Sequence, residues 1–206
     1  MIQKEKTSMR KIALVLALSL VSAMAAGLPD AERQVLTKHL AKSSQEFLSS
    51  VKGLTPEQWN FKAAPDRWSI AQCAEHIALS EDFIRGIIES KVLTAEPTPD
   101  RIAERKMLDE KVLAMITDRS FKAQAPEPLQ PTSKFGSPQA SVEHFQQSRA
   151  TTAALATSRD DLREHAGENP VFKELDAYQW LLFLSGHTLR HTAQIQEVKA
   201  SAGFPK

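Results

Sequence analysis

Apolar residues recur every three to four positions along four stretches of the chain, a periodicity that predicts four long helices. The first is expected over residues 29–51, where Ala31, Val35, Leu36, Leu40, Phe47, Leu48 and Val51 form a broad stripe before Gly53. Thr55-Pro56 then opens a short turn, and Pro65 breaks whatever it begins. Ser69 starts the second long helix, and Gln72 three residues later completes a capping box. Ile70, Cys73, Ile77, Ile84 and Ile87 share its apolar face until TAEPTPD (94–100) closes it. Residues 101–118 read as a more polar helix, and KAQAPEPLQPTSKFGSP (122–138) as a Pro-rich connector with no packing pattern. Ser137-Pro138 opens the third long helix, expected to about residue 158, and REHAGENPVFKEL (163–175) is a turn-rich crossing. The fourth begins at Asp176, capped with Gln179, and ends near Ser201 before Gly203 and Pro205. With two long connectors and no convincing strand, the pattern predicts an all-α four-helix bundle over residues 27–206.

The first 26 residues break that rhythm. Lys4, Lys6, Arg10 and Lys11 precede an apolar run over 12–21, and Ala23-Met24-Ala25 follows with small residues at alternate positions. This is the layout of a secretory signal peptide cut after Ala25 or Ala26, which predicts a periplasmic or secreted protein. A membrane anchor is the other reading, but the run falls short of the roughly 20 residues that a spanning helix needs. No membrane association is expected after cleavage.

Charge and cysteine content narrow the function. Cutting after Ala25 removes four basic residues and Glu5, leaving 22 Lys+Arg against 24 Asp+Glu and a formal charge of −2. That balance, with no Lys/Arg run, argues against a nucleic-acid partner. Cys73 is the single cysteine, so no internal disulfide staples the fold.

The fourth helix carries the candidate chemistry. Trp180, Leu184, His187, His191, Ile195 and Val198 follow one another at helical spacing, so two histidines lie inside the core-facing seam. Buried imidazoles need partners, because an unpaired buried polar group costs about 1–3 kcal/mol. Bonds to backbone carbonyls or water would meet that need, and so would a metal ion held by two rings one turn apart. His76, on the flank of the second helix's apolar face, is a candidate third ligand. Three neutral imidazoles suit Zn²⁺, Ni²⁺ or Fe²⁺ and leave a coordination position open. A di-iron bundle is excluded because no histidine has Glu three residues before it, and a c-type haem because there is one cysteine.

PDRWSIAQCAEHIALSE (65–81) and SGHTLRHTAQIQEVKASAGFP (185–205) resemble the two signature segments of the DinB/YfiT-like superfamily of four-helix-bundle metalloproteins. A Trp-Ser entry precedes a helix with one metal-binding His, and the last helix carries His-x-x-x-His followed by Gln and a Gly-x-Pro tail. The resemblance spans roughly residues 30–205 and implies that His76, His187 and His191 are the metal ligands. It leaves Gln194 as a pocket residue or a boundary residue reaching solvent. Cys73 reads as a fourth ligand, as a thiol beside the metal, or more simply as a small buried hydrophobe. Trp68 and Trp59 read as pocket wall or core closure. His39, His144 and His165 have no partner at helical spacing and read as surface or boundary residues. Glu75 and Asp82 face away from the apolar side of their helix and Glu81 lies on the flank opposite His76, so no general base is named.

Members of the superfamily include thiol-cofactor transferases and an isomerase, and the thiol-dependent ones work in the cytoplasm. A signal peptide argues against thiol transfer here. The expectation is therefore an exported metal-binding protein, a divalent-metal-dependent hydrolase or transferase acting on a small molecule. The alternative is a non-catalytic exported bundle that binds a small ligand or partner. A homodimer is compatible with either.

Overall fold

The computed structural model describes residues 27–122 and 124–206, so the signal peptide expected over residues 1–26 lies outside the described residues. α1 (Asp30–Val51) is followed by the one-turn α2 (Pro56–Asn60), whose capping box is built from Thr55 and Gln58. α3 (Ile70–Ile87) runs on as a π-helical turn (Ile88–Val92) that keeps Ile88 and Val92 buried. After α4 (Ile102–Lys106), α5 (Asp109–Thr117) and the connector come α6 (Pro138–Ser158), a hairpin and α7 (Ala177–Lys199). α1 and α3 each pack against both α6 and α7, which closes a four-helix bundle, while α5 packs on α7 from outside. No helix among the described residues is long and apolar enough to cross a membrane.

Three local features depart from the sequence reading. Residues 101–118 are not one helix. The Arg105 carbonyl accepts from the Leu108 N–H and from the buried Gln179 side chain, and the chain breaks between α4 and α5 there. The turn-rich crossing contains an antiparallel hairpin, β1 (Ala166–Asn169) with β2 (Lys173–Asp176), so the chain is mostly rather than wholly helical. Four-residue strands are too short to show alternation, and a local turn makes this pair: Asn169 Oδ1 accepts from the N–H groups of Val171 and Phe172, and Lys173 takes φ +66°. The Pro-rich connector, whose sequence shows no packing pattern, buries Leu129.

The apolar core falls into two clusters. One gathers Leu36, Leu40, Ile84, Leu181 and Leu184, the other Phe47, Ile70, Ile77, Phe145 and Ile195. Between them lies a polar layer. Arg149 of α6 donates to both carboxylate oxygens of Glu81 at 2.8 and 2.7 Å, to the Leu40 carbonyl, and to the hydroxyls of Ser43 and Thr188. It thereby joins all four long helices. Thr188 is the residue next to His187, so this layer is also the level of the histidines.

Candidate metal centre

Two capping boxes fix the helices that carry the histidines. Ser69 Oγ accepts from the Gln72 N–H while Gln72 Oε1 accepts from the Ser69 N–H, which starts α3 in a set phase and puts His76 in its second turn. Asp176 and the fully buried Gln179 do the same for α7. A side chain at Gly186 would bring its Cβ within 2.3 Å of Ile116 Cγ2, so glycine lets α5 close on α7 beside His187.

The fold brings His76, His187 and His191 together, with one ligand atom from each lying within 4.8 Å of the others. The ring centroids of His76 and His191 are 4.3 Å apart, those of His187 and His191 4.5 Å, and those of His76 and His187 5.1 Å. His76 and His191 are buried and His187 is half-buried. Desolvation lowers the pKa of all three, and that of His187 and His191 falls well below the ordinary imidazole value. For those two a neighbouring imidazole adds to the effect, so the rings are neutral, the form that binds metal.

Hydrogen bonds anchor the far nitrogen of two of the rings. His76 Nδ1 lies 2.7 Å from the Leu129 carbonyl oxygen, which can only accept, so Nδ1 holds the hydrogen. His191 Nδ1 lies 2.8 Å from Gln194 Oε1, and with that oxygen as its acceptor it carries the hydrogen too. In that tautomer both Nε2 atoms are lone pairs, facing each other at 3.1 Å. Two lone pairs at hydrogen-bond distance repel unless a cation lies between them. Burial opposes a proton in that role, and a divalent ion fits: two nitrogens each about 2.0–2.1 Å from a tetrahedral centre are about 3.3 Å apart. The anchoring of each ring through its other nitrogen is what metal-binding histidines require.

The surroundings come from segments far apart in sequence. The Trp68 ring lies 4.9 Å from His76 and 6.1 Å from His191, so it walls the site, whereas Trp59 closes the core. Trp68 also lines a cleft of ≈ 300 Å³ with Gln72, Gln124, Gln130 and Pro131, none of them charged. The connector is strapped down by the residue before His76. The Glu75 carboxylate accepts from the N–H groups of Thr132, Ser133 and Lys134 at 2.7–3.0 Å, with Ser133 at φ +64° to aim them. Glu75 does face away from the bundle core, but it is buried beneath the connector rather than solvated.

Cys73 belongs to the core and not to the histidine group, and burial pushes its thiol up to about 12. Glu81 is buried against Arg149, and Asp82 accepts from His144 at 2.6 Å and from Ser148. His165 donates to the Ala95 carbonyl, and His39 is half-buried on α1. None of these three other histidines joins the site. Sequence reasoning missed Leu129 and Glu75, because one acts through its backbone and the other binds a segment with no periodicity. A carboxylate next to a candidate ligand, on the side of its helix away from the core, was the available signal.

Comparison with known proteins bears on the family and the fold. Residues 39–195 match the sequence model of the DinB superfamily. The chain is similar to YuaE of Bacillus subtilis (strain 168), an uncharacterized protein, at 30% identity over 155 residues, 75% of this chain and 91% of that one. Its fold is similar to that of YfiT from Bacillus subtilis, described as a probable metal-dependent hydrolase with an unusual four-helix bundle topology. That likeness has a TM-score of 0.53 at 16% identity and covers 84% of this chain and 88% of YfiT. With the match spanning most of the sequence and both signature segments inside or overlapping it, the chain belongs to the DinB superfamily.

Proposed function

We propose that this chain is a divalent-metal-dependent hydrolase or transferase in which His76, His187 and His191 are the protein's ligands to the ion. The observation that carries the reading is the pair of Nε2 atoms held 3.1 Å apart in a buried site, with Nδ1 of each ring engaged elsewhere. The description of YfiT supports the hydrolytic half by likeness of fold. When bound, the ion would supply Lewis-acid polarisation of a substrate oxygen.

The chain's own residues would do the rest. Leu129 and Gln194 hold two rings in one tautomer and one orientation. Trp68 shields the rings, and the uncharged cleft beside it admits a small molecule without an ionic partner. Glu75, Glu81 and Asp82 are each committed to other groups, so no carboxylate of α3 is available to take a proton from a substrate. The leader expected over residues 1–26 would put this chemistry outside the cytoplasm.

Elemental analysis of the untagged protein, beside the His187→Ala/His191→Ala variant, tests the reading. About one equivalent of a transition metal, lost in the variant while helicity is kept, is the expected result. No metal in either after reconstitution overturns it and leaves a non-catalytic binding bundle. Intact mass of the same sample reads leader cleavage.

A further inference from the structure

Ser80 is an anomaly among the buried hydroxyls. It is 1% exposed, yet its Oγ has no hydrogen-bond partner among the described residues. Every other buried serine or threonine of the described residues is satisfied, most often by a carbonyl three or four residues back. Ser43, Ser50, Thr152 and Thr192 are examples. A buried, unpaired hydroxyl is costly, so its place in the fold matters.

That place is the seam between α3 and α7. Ser80 follows His76 by four residues, about 40° further round the helix, between Cys73, Ile84 and Ile87 in the arc that faces α7. The two helices run antiparallel: Cys73 and Ile77 share a cluster with Ile195 and Val198, and Ile84 and Ile88 share one with Trp180 and Leu184. His76 meets His191, and Glu81 reaches Thr188 through Arg149. One turn forward along α3 from His76 is therefore one turn back along α7 from His191. Ser80 stands at the level of His187.

His187 is the complementary anomaly. His76 and His191 each anchor their second nitrogen, but His187 makes no hydrogen bond to a described residue, although the rings of His191, His76 and Phe183 lie 4.5, 5.1 and 6.4 Å from its own. We propose that Ser80 is the positioning residue for His187: its Oγ accepts the ring's second N–H when the three imidazoles close on a divalent ion, and its own proton goes to the His76 carbonyl four residues back. The inference rests on the metal reading above and adds the third anchor that a three-histidine site calls for. It also explains why a hydroxyl interrupts an otherwise apolar seam.

The test is Zn²⁺ affinity of the full mature chain, read by competition with a chromophoric chelator for wild type, Ser80→Ala and Ser80→Thr. Ser80→Ala is expected to bind about 10–100-fold more weakly with helicity unchanged, and Ser80→Thr, which keeps the hydroxyl, to recover most of the loss. Zn²⁺ binding by Ser80→Ala within about twofold of wild type would overturn the assignment while leaving the metal centre intact. Absence of Zn²⁺ binding by the wild type would overturn both. Should the threonine variant fail to fold, nitrogen-15 imidazole spectra of the Zn²⁺-loaded protein decide. A slowly exchanging His187 N–H present in wild type and lost in Ser80→Ala supports the contact, and an unchanged signal refutes it.

Discussion

The polar layer of this bundle has two halves with opposite accounting. Around Arg149 every donor meets an acceptor: a two-point pair with Glu81, a backbone carbonyl and two hydroxyls, drawn from all four long helices. Around His76 and His191 the donors also find acceptors, but what remains is two lone pairs directed at each other. Both halves are buried, and they share a boundary at His187 and Thr188. A closed network needs nothing further and holds the helices in register. The open half has room for the cation proposed above, so burial and polarity alone do not mark a candidate site; an unmet valence does.

The largest expected effect comes from opening the closed half. Arg149→Ala leaves Glu81 buried without its cation and should cost about 3–5 kcal/mol, read as a lower denaturant midpoint. The double change Arg149→Met/Glu81→Leu should return most of that stability, since removing both charges leaves neither unpaired. If the single variant were as stable as wild type, the closed half would not be the helix lock described here.

Acid comes next. The three histidines have folded-state pKa values below the ordinary imidazole value of about 6.5, so below about that pH the unfolded chain takes up protons that the folded chain refuses. The stability of the metal-free protein should therefore be full above pH 7 and fall as pH drops through about 6.5 and onward. The His187→Ala/His191→Ala variant should show a flatter profile over pH 7 to 5. Equal slopes would place the acid sensitivity elsewhere.

The smallest effect is expected at Gln194. Gln194→Leu removes the acceptor of the His191 Nδ1 proton without touching the ligands, and should weaken Zn²⁺ binding about tenfold, the lower end for such a partner, because the residue is half-exposed. Unchanged affinity would mean that the orientation of His191 is set by packing instead.

Much of this was legible along the chain. The capping boxes at Ser69 and Asp176 are local chemistry, a side chain and a backbone three residues apart, and both are present. The spacing of His187 and His191 within an apolar stripe announced a polar interruption of the core. The hairpin was invisible because its strands are four residues long, and the break at Arg105 because its cause, Gln179, lies 74 residues away. The role of Glu75 was hidden for a related reason: angular position on a helix shows which way a carboxylate leaves, and not what another segment lays over it.

By itself the sequence determined the long helices, their faces and the three histidines, because each follows from contacts within a few residues. Only the tertiary structure decided how those histidines meet. Leu129 and Gln194 accept hydrogen bonds from two of the rings, Glu75 straps the connector that delivers Leu129, and the antiparallel register of α3 and α7 sets the two Nε2 atoms 3.1 Å apart. The anchoring of His76 and its distance from His191 depend on groups 53 and 115 residues away in the chain, and no local pattern encodes them.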